Sequence, residues 1–314
     1  MTALGTFTLD EDIAWPMPPV DGVAYLSTLG VIKLTGKDRE SFLHRQLTNA
    51  VEGIGNAVRL AAWCNPQGRM LVNFTLYSHD EALYLIAPRA LIERVVKRLR
   101  MFVLRSDVQI EWLEGANVYG VMGEDVKAIA QRVGLPLPSE NTQTSREGLS
   151  LLNLGTEPAR ALLVDTVSAF EEPANLNEAL WFFEEMRACR VTIWPDTVEL
   201  FVPQMLNFDK VGGVVFNKGC YPGQEVISRL KYVGKTNRAP FLGVAAGVTE
   251  VNPGDPIYEN GQSVGFVAQA VVTPAGTWLL HVTHTNSGSK QYSLDEKGDE
   301  MLLTISDFKE LANA

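Results

Sequence analysis

The stretch of sequence that decides the fold runs from Asn207 to Arg238 and reads NFDKVGGVVFNKGCYPGQEVISRLKYVGKTNR. A glycine pair, Gly212-Gly213, precedes a short apolar run, and the octapeptide KGCYPGQE follows at residues 218–225. Apolar residues then recur at helical spacing, at Val226, Ile227 and Leu230. This periodicity predicts a helix with Pro222 at its first position, where proline is tolerated because its missing N–H is not needed.

The octapeptide places a cysteine, Cys220, just before this predicted helix and two residues after Lys218. A helix N-terminus and a nearby ammonium both favour the thiolate, which is the nucleophilic form of cysteine. Cys220 and Lys218 are therefore the candidate catalytic residues. The alternative is that Cys220 is a small buried hydrophobe, since free cysteine is often buried. Gly219 and Gly223 are predicted to let the backbone approach a ligand closely or to take a positive φ.

Composition restricts the class of protein. The chain has 314 residues and a formal net charge of −10, and because phosphate binding relies on many Lys and Arg, we expect no direct nucleic-acid partner. The first residues contain neither a basic segment nor a long apolar run, so no membrane association is expected. Three cysteines argue against a disulfide framework, exclude a cluster held by four cysteines of one chain, and favour the cytoplasm. Cys64 and Cys189 are expected to pack in the core, and no permanently bound metal is expected.

Further from the octapeptide, the hydrophobic pattern divides the chain. Alternating strand and helix signals predict an α/β region from residue 23 to residue 238, interrupted by a loop rich in Pro, Ser, Thr and Asn at residues 134–148. After residue 238, short apolar runs alternate with Gly and Pro turns, which predicts a small all-β domain, a barrel, at residues 239–314. Residues 1–22 form an N-terminal extension that is expected to be loosely attached.

The octapeptide resembles the signature of a known family. It matches every specified position of K-G-C-Y-x-G-Q-E, the signature of the YgfZ proteins, at Lys218 to Glu225. Four other segments also resemble that family, at residues 36–49, 64–70, 98–105 and 201–213. The resemblance covers residues 24–240 and is weaker in the predicted barrel.

This resemblance implies a fold and a function. The expected fold class is α+β, with two α/β lobes similar to those of the glycine-cleavage T-protein around a central opening, and a C-terminal β-barrel. Members of the family bind tetrahydrofolate and help to maintain or repair iron–sulfur enzymes, including those that methylthiolate tRNA. The expected partners are thus a folate-type small molecule and iron–sulfur client or assembly proteins. The residues expected at the folate site are Tyr221, Gly223, Gln224, Arg187 and Arg229.

Two departures from the related proteins matter. T-proteins carry an acidic pair where this chain reads Leu71-Val72-Asn73-Phe74, so aminomethyl transfer lacks its catalytic carboxylate. Relatives also carry a pterin-anchoring glutamate where Arg187 stands here, with Glu184 and Glu185 one turn away as substitutes. Three interpretations follow: an accessory protein that acts through Cys220, a folate-dependent one-carbon transferase with an altered site, and a scaffold that binds no folate.

A basic stretch follows the octapeptide, at Arg229, Lys231, Lys235 and Arg238. It fits a carboxylate-bearing ligand or a partner protein. The alternative, which we favour from sequence, is a solvated helix end, because basic residues suit helix C-termini.

Overall fold

The computed structural model describes residues 4–15, 17–156, 158–171, 173–234, 236–285 and 291–307. The strands are β1 (Thr6–Thr8), β2 (Gly22–Tyr25), β3 (Leu29–Thr35), β4 (Arg59–Cys64), β5 (Met70–His79), β6 (Ala82–Pro88), β7 (Gln109–Leu113), β8 (Asn117–Met122), β9 (Gln143–Arg146), β10 (Leu149–Thr156), β11 (Ala159–Asp165), β12 (Arg238–Ala246), β13 (Pro256–Glu259), β14 (Gln262–Thr273), β15 (Gly276–His284), β16 (Gln291–Ser293) and β17 (Met301–Asp307). The helices are α1 (Arg39–His44), α2 (Arg89–Arg100), α3 (Asp125–Arg132), α4 (Glu178–Arg187) and α5 (Gln224–Tyr232), with 3-10 turns at Pro195–Thr197 and Pro203–Leu206.

Two antiparallel sheets form the two lobes. The first has the strand order β4-β5-β6-β3-β7, and the second has the order β2-β8-β11-β10-β9. Helix α2 packs on the first sheet through apolar residues spaced three and four apart, namely Leu91, Ile92, Val95, Val96 and Leu99. Helix α3 packs on the second sheet in the same way, through Val126, Ile129 and Ala130.

The C-terminal strands close into the predicted barrel. Six strands follow the order β14-β13-β16-β17-β12-β15, and the ring closes because β15 also pairs with β14. Closure leaves no free edge among these six strands, which protects an all-β domain from edge-to-edge association.

The N-terminal segment is not loosely attached, which corrects the expectation from sequence. Strand β1 pairs in parallel with β14 of the barrel, with Thr6 opposite Ala270. Phe7 is buried, and its ring stacks on that of Phe182 with 4.0 Å between centroids. Three residues are too few for a strand signal, so the sequence pattern did not show this pairing.

Helix α4 joins the second lobe to the barrel. It contacts β2 and β8 on one side and β1, β14 and β15 on the other. It is apolar around most of its circumference, as a helix buried on several sides must be. Its Trp181 lies so close to Gly120 of β8 that a Cβ there would come within 2.3 Å of the indole ring, so only glycine fits.

Two further expectations from sequence were wrong. Residues 134–148 contain strand β9, which pairs with β10 at the edge of the second sheet. Its sequence, QTSR, lacks apolar alternation because edge strands are often polar. Helix α5 begins at Gln224 and not at Pro222, since Gly223 adopts a left-handed conformation before it.

Candidate functional site: the Cys220 loop and the interior cavity

The Cys220 loop, residues 217–223, carries the one exposed cysteine of the chain. Cys220 is exposed, whereas Cys64 and Cys189 are each only 1% exposed. The expectation that these two pack in the core is confirmed, and the alternative that Cys220 is buried is wrong. Burial raises the pKa of the Cys64 thiol, and it raises the pKa of Cys189 to about 12. Only Cys220 is accessible to a reagent or a partner.

Lys218 fastens this loop to the first lobe. Its ammonium donates three hydrogen bonds of 2.5–2.8 Å, to the backbone carbonyls of His44, Leu47 and Asn49. These carbonyls lie at and just beyond the end of α1, where a cation is favoured by the helix dipole. Burial lowers the pKa of Lys218 to about 8, and Glu52 opposes that shift. All three donors of the ammonium are committed to carbonyls, so Lys218 anchors the loop, and its electrostatic effect on the Cys220 thiol stays a prediction.

Tyr221 attaches the loop to the apolar core. Its side chain is buried, and its ring lies 5.1 Å from the Lys218 nitrogen. Among the described residues its hydroxyl has no hydrogen-bond partner, and burial raises its pKa. Tyr221 therefore shapes the loop by packing, and its hydroxyl retains an unused donor and acceptor.

Gly223 is the pivot between the loop and α5. Its φ is +82°, and a Cβ at this position would lie 2.6 Å from the Asn65 carbonyl oxygen and 2.7 Å from the Cα of Gly68. Both the left-handed backbone and the close approach therefore require glycine. Gly219 has neither property, because a Cβ there would meet nothing within 4 Å and its φ is not positive.

Polar side chains from the other family-like segments hold the same region together. Thr48 donates to the Gly213 carbonyl at 2.6 Å, and Asn49 donates to the Gly212 carbonyl at 2.8 Å. Gln204 donates to the Ile227 carbonyl of α5 at 2.7 Å. Segments that are distant in sequence, and that each resemble the same family, thus lie together around the Cys220 loop.

A second polar centre lies in an interior cavity of about 40 Å³ between the two sheets. Glu185 lines this cavity and accepts from Arg160 at 2.6 Å, and Arg190 lies 3.7 Å from its other oxygen. Burial lowers the pKa of Arg190, whereas Glu185 raises it. Two buried guanidinium groups thus share one carboxylate. Sequence reasoning named Glu185 only as a substitute and missed Arg160, which is 25 residues away along the chain.

Asn73 lines the same cavity and stands where T-proteins have acidic residues. Its amide nitrogen donates to the Val191 carbonyl at 2.8 Å, and its amide oxygen accepts from the Ile193 N–H at 2.8 Å. A carboxylate has no donor for Val191. Asn73 is therefore a clamp on the chain that follows α4.

The other predicted folate residues do not meet at one place. Arg187 pairs with Glu184 and lies over Trp15 at 5.7 Å, at a separate cavity of about 110 Å³. Gln224 opens α5, and Arg229 is exposed one turn before its end. Lys235 lies outside the described residues. The folate roles of Tyr221, Gly223, Gln224, Arg187 and Arg229 therefore stay predictions.

The described residues contain neither a candidate metal-binding group nor a helix that could span a membrane. Within the described ranges, no group of three or more His, Cys, Asp or Glu side chains is arranged to hold a metal ion. Among those same residues, no helix has both the length and the apolar character of a membrane span.

Comparison with known proteins shows close relatives. The chain is 30% identical over 224 residues to the tRNA-modifying protein YgfZ of Colwellia psychrerythraea, with 69% of each chain covered. It is 29% identical over 295 residues to the protein of the same name from Hamiltonella defensa, with 88% of this chain and 87% of that one covered. No family model matches. The fold is similar to that of the glycine cleavage system aminomethyltransferase T from Bartonella henselae, with a TM-score of 0.64, 15% identity, and 91% of this chain and 85% of that one covered.

Proposed function

Because the chain belongs to the YgfZ family, we propose that it is a tetrahydrofolate-binding accessory protein that supports iron–sulfur enzymes, among them those that methylthiolate tRNA. The exposure of Cys220 on an anchored loop is the observation that carries this proposal. The relatives are named tRNA-modifying proteins. With a net charge of −10, the chain is suited to act on the modifying enzyme and not on the tRNA itself. Its sparse cysteines are consistent with the cytoplasmic location that we propose.

Cys220 supplies the contact with the client. Exposed and accessible thiols serve as nucleophiles or as ligands to metals and clusters. Lys218 and Gly223 hold the loop at its two ends, so the thiol is presented in one position. Preorganisation of this kind reduces the entropy lost when a partner binds. Whether the thiol acts as a nucleophile, as a transient cluster ligand or as a redox-sensitive contact is open.

The interior cavity is the candidate site for the pterin ring of the folate. Its lining combines the carboxylate of Glu185, the guanidinium of Arg190 and the amide of Asn73 with apolar walls. The Asn73 amide is committed to the backbone, so the carboxylate of Glu185, which has acceptor capacity beyond its bond from Arg160, is the group suited to a pterin N–H edge. A volume of about 40 Å³ holds only a few water molecules, so binding of a pterin ring requires this cavity to widen.

Calorimetric titration with tetrahydrofolate tests the folate part of the proposal. We expect micromolar binding by the wild type and at least tenfold weaker binding by Glu185→Gln. An unchanged Glu185→Gln variant together with a weakened Arg187→Ala variant would instead place the pterin beside Trp15. Absence of binding by the wild type would overturn the folate part and leave the accessory role of Cys220 standing.

Deletion of the gene tests the accessory role. We expect methylthiolated tRNA to fall in the deletion strain and to recover when the wild-type gene is returned, as measured by mass spectrometry of tRNA nucleosides. Unchanged methylthiolation in the deletion strain would contradict the proposal.

A folate-dependent one-carbon transferase is the second candidate, because the fold is that of an aminomethyltransferase. Turnover of a methylamine donor with tetrahydrofolate would support it. The use of Asn73 as a backbone clamp argues against it, since no carboxylate stands at that position to take part in proton transfer.

A further inference from the structure

A cleft of about 610 Å³ lies between the C-terminal half of α5 and the start of barrel strand β12. Sites for small organic ligands have volumes of about 300–1,000 Å³. The cleft shares no lining residue with the interior cavity or with the cavity beside Arg187. It is therefore a separate candidate site, and the folate proposal does not use it.

The charge of the cleft is opposite to that of the protein. Lys210, Lys231 and Arg238 line it against a single carboxylate, Asp209, although the whole chain has a net charge of −10. Lysine and arginine side chains converging in a concave site favour carboxylates and phosphates, and arginine can bind either with two parallel hydrogen bonds. The charged group of a ligand in this cleft is thus an anion.

The remaining walls of the cleft are apolar. Tyr232 and Val233 line it with 70% and 81% of their surfaces exposed, and Pro240 and Phe241 line it from the barrel side. Large exposed apolar side chains around a cleft mark a place where an apolar body is bound. The sequence pattern showed two of the basic residues, Lys231 and Arg238. It did not show the apolar wall, because Phe241 comes from the next domain.

The floor of the cleft is rigid. Gln204 and Asn207 line it and are 7% and 6% exposed, and Gln204 is bonded to the Ile227 carbonyl of α5 at 2.7 Å. The 3-10 turn Pro203–Leu206 that carries Gln204 also contacts both β12 and α5. The cleft is therefore preformed by contacts among three elements and needs no partner to create it.

We propose that this cleft binds an amphipathic organic anion, with an apolar or aromatic body on the Tyr232 and Phe241 side and a carboxylate or phosphate on the Lys210, Lys231 and Arg238 side. The proposed ligand is a small molecule and not a segment of a protein. It binds at the C-terminal end of α5, the same helix whose N-terminal end carries the Cys220 loop.

Titration calorimetry of the full chain with four probes tests this proposal. Two probes are amphipathic anions: AMP is an aromatic phosphate, and N-benzoylglutamate is an aromatic dicarboxylate. The other two are controls that each lack one part, namely adenosine, which lacks the phosphate, and inorganic phosphate, which lacks the aromatic body. We expect AMP or N-benzoylglutamate to bind with a Kd below about 1 mM, and each control to bind at least tenfold more weakly. The anion that binds with the lower Kd identifies the charged group of the ligand as a phosphate or a carboxylate. Absence of binding by both would overturn the proposal.

Variants locate the binding. The double variant Lys231→Ala/Arg238→Ala is expected to weaken binding of the preferred probe at least tenfold, while Lys127→Ala, an exposed lysine on α3, leaves it unchanged. Lys210→Ala, also at an exposed position, serves as a second variant should the double variant unfold at a lower temperature. Equal binding by all variants would place the probe elsewhere and overturn the proposal.

Discussion

At the scale of single residues, exposure distinguishes the three cysteines. Cys64 and Cys189 are buried, and burial holds the pKa of Cys189 at about 12, so both stay protonated and inaccessible at pH 8. The nucleophilic thiolate forms only where the thiol is accessible or its pKa is low. Of the three thiols, only that of Cys220 is therefore available for reaction.

Titration of the native protein with an aromatic disulfide reagent at pH 8 is thus expected to modify one thiol per chain. In denaturant, three thiols should react. The Cys220→Ser variant is expected to lose the native reaction and to keep two reactive thiols in denaturant. Reaction of two or three thiols in the native wild type would contradict the burial of Cys64 and Cys189.

Asn73 has a structural role, because its amide bonds to the backbone on both sides of Thr192. Replacing its amide with a carboxylate by Asn73→Asp removes the donor to the Val191 carbonyl and leaves that carbonyl without a partner. We expect a loss of about 1–3 kcal/mol in the free energy of unfolding, measured in urea. Asn56→Asp is the control, because Asn56 is exposed and the same change of amide to carboxylate there meets water. Equal free energies of unfolding for the two variants would show that the hydrogen bonds of Asn73 contribute nothing to stability.

The sequence was sufficient to propose Cys220, because its neighbours form a specific motif within eight positions, and the structure shows that this cysteine is exposed. It was not sufficient to identify the group of Glu185, Arg160 and Arg190. Arg160 lies on β11, and only the packing of α4 against that sheet brings its guanidinium to Glu185. Ion pairs between elements depend on tertiary structure and have no local signature.

At the scale of elements, the contact between the Cys220 loop and the turn Asn65–Gly68 governs how the thiol is presented. Two glycines meet there, Gly68 with φ +75° and Gly223 with φ +82°. The first lobe holds the loop at two points, because α1 contacts it through Lys218 and the turn contacts it through Gly223.

Gly223→Ala is expected to destabilise the protein by at least about 1 kcal/mol, because the left-handed backbone penalises a Cβ and the Asn65 carbonyl must move. Gly219→Ala, four residues earlier, should change the free energy of unfolding by less than about 0.5 kcal/mol, since its Cβ points into open space. Urea unfolding of both variants is the measurement. A larger effect at Gly219 than at Gly223 would contradict this account of the loop.

Long elements carry a clear periodic signal in the sequence, and short ones do not. Helices α2 and α4 and strands β4 and β5 have enough residues for a clear apolar pattern. Strands β1 and β9 have three and four residues, and their pairing is determined by β14 and β10, not by their own composition.

At the scale of the whole molecule, one apolar core runs from the first lobe through the second into the barrel. It includes Val31, Val118 and Val271, one from each part. The N-terminal segment contributes Phe7 to this core, between Phe182 and Trp194. The barrel and the lobes are therefore expected to unfold together.

Phe7→Ala tests the role of the N-terminal segment in this core. We expect a loss of about 3–5 kcal/mol in the free energy of unfolding, because a buried aromatic ring is removed and a cavity is left. Leu4→Ala, at a side chain that is 43% exposed, should have little effect. A Phe7→Ala variant as stable as the wild type would show that the segment is attached only weakly.

The central claim is that the YgfZ-type activity of this chain depends on the exposed thiol of Cys220. The measurement that tests it most directly is the content of methylthiolated tRNA in a deletion strain that carries either the wild-type gene or Cys220→Ala, with equal protein levels and equal thermal midpoints verified for both. The account predicts that the wild type restores methylthiolation and that Cys220→Ala restores less than about a tenth of it, because a single functional group has been removed. Full restoration by Cys220→Ala would contradict the claim and leave the fold, but not the thiol, as the source of activity.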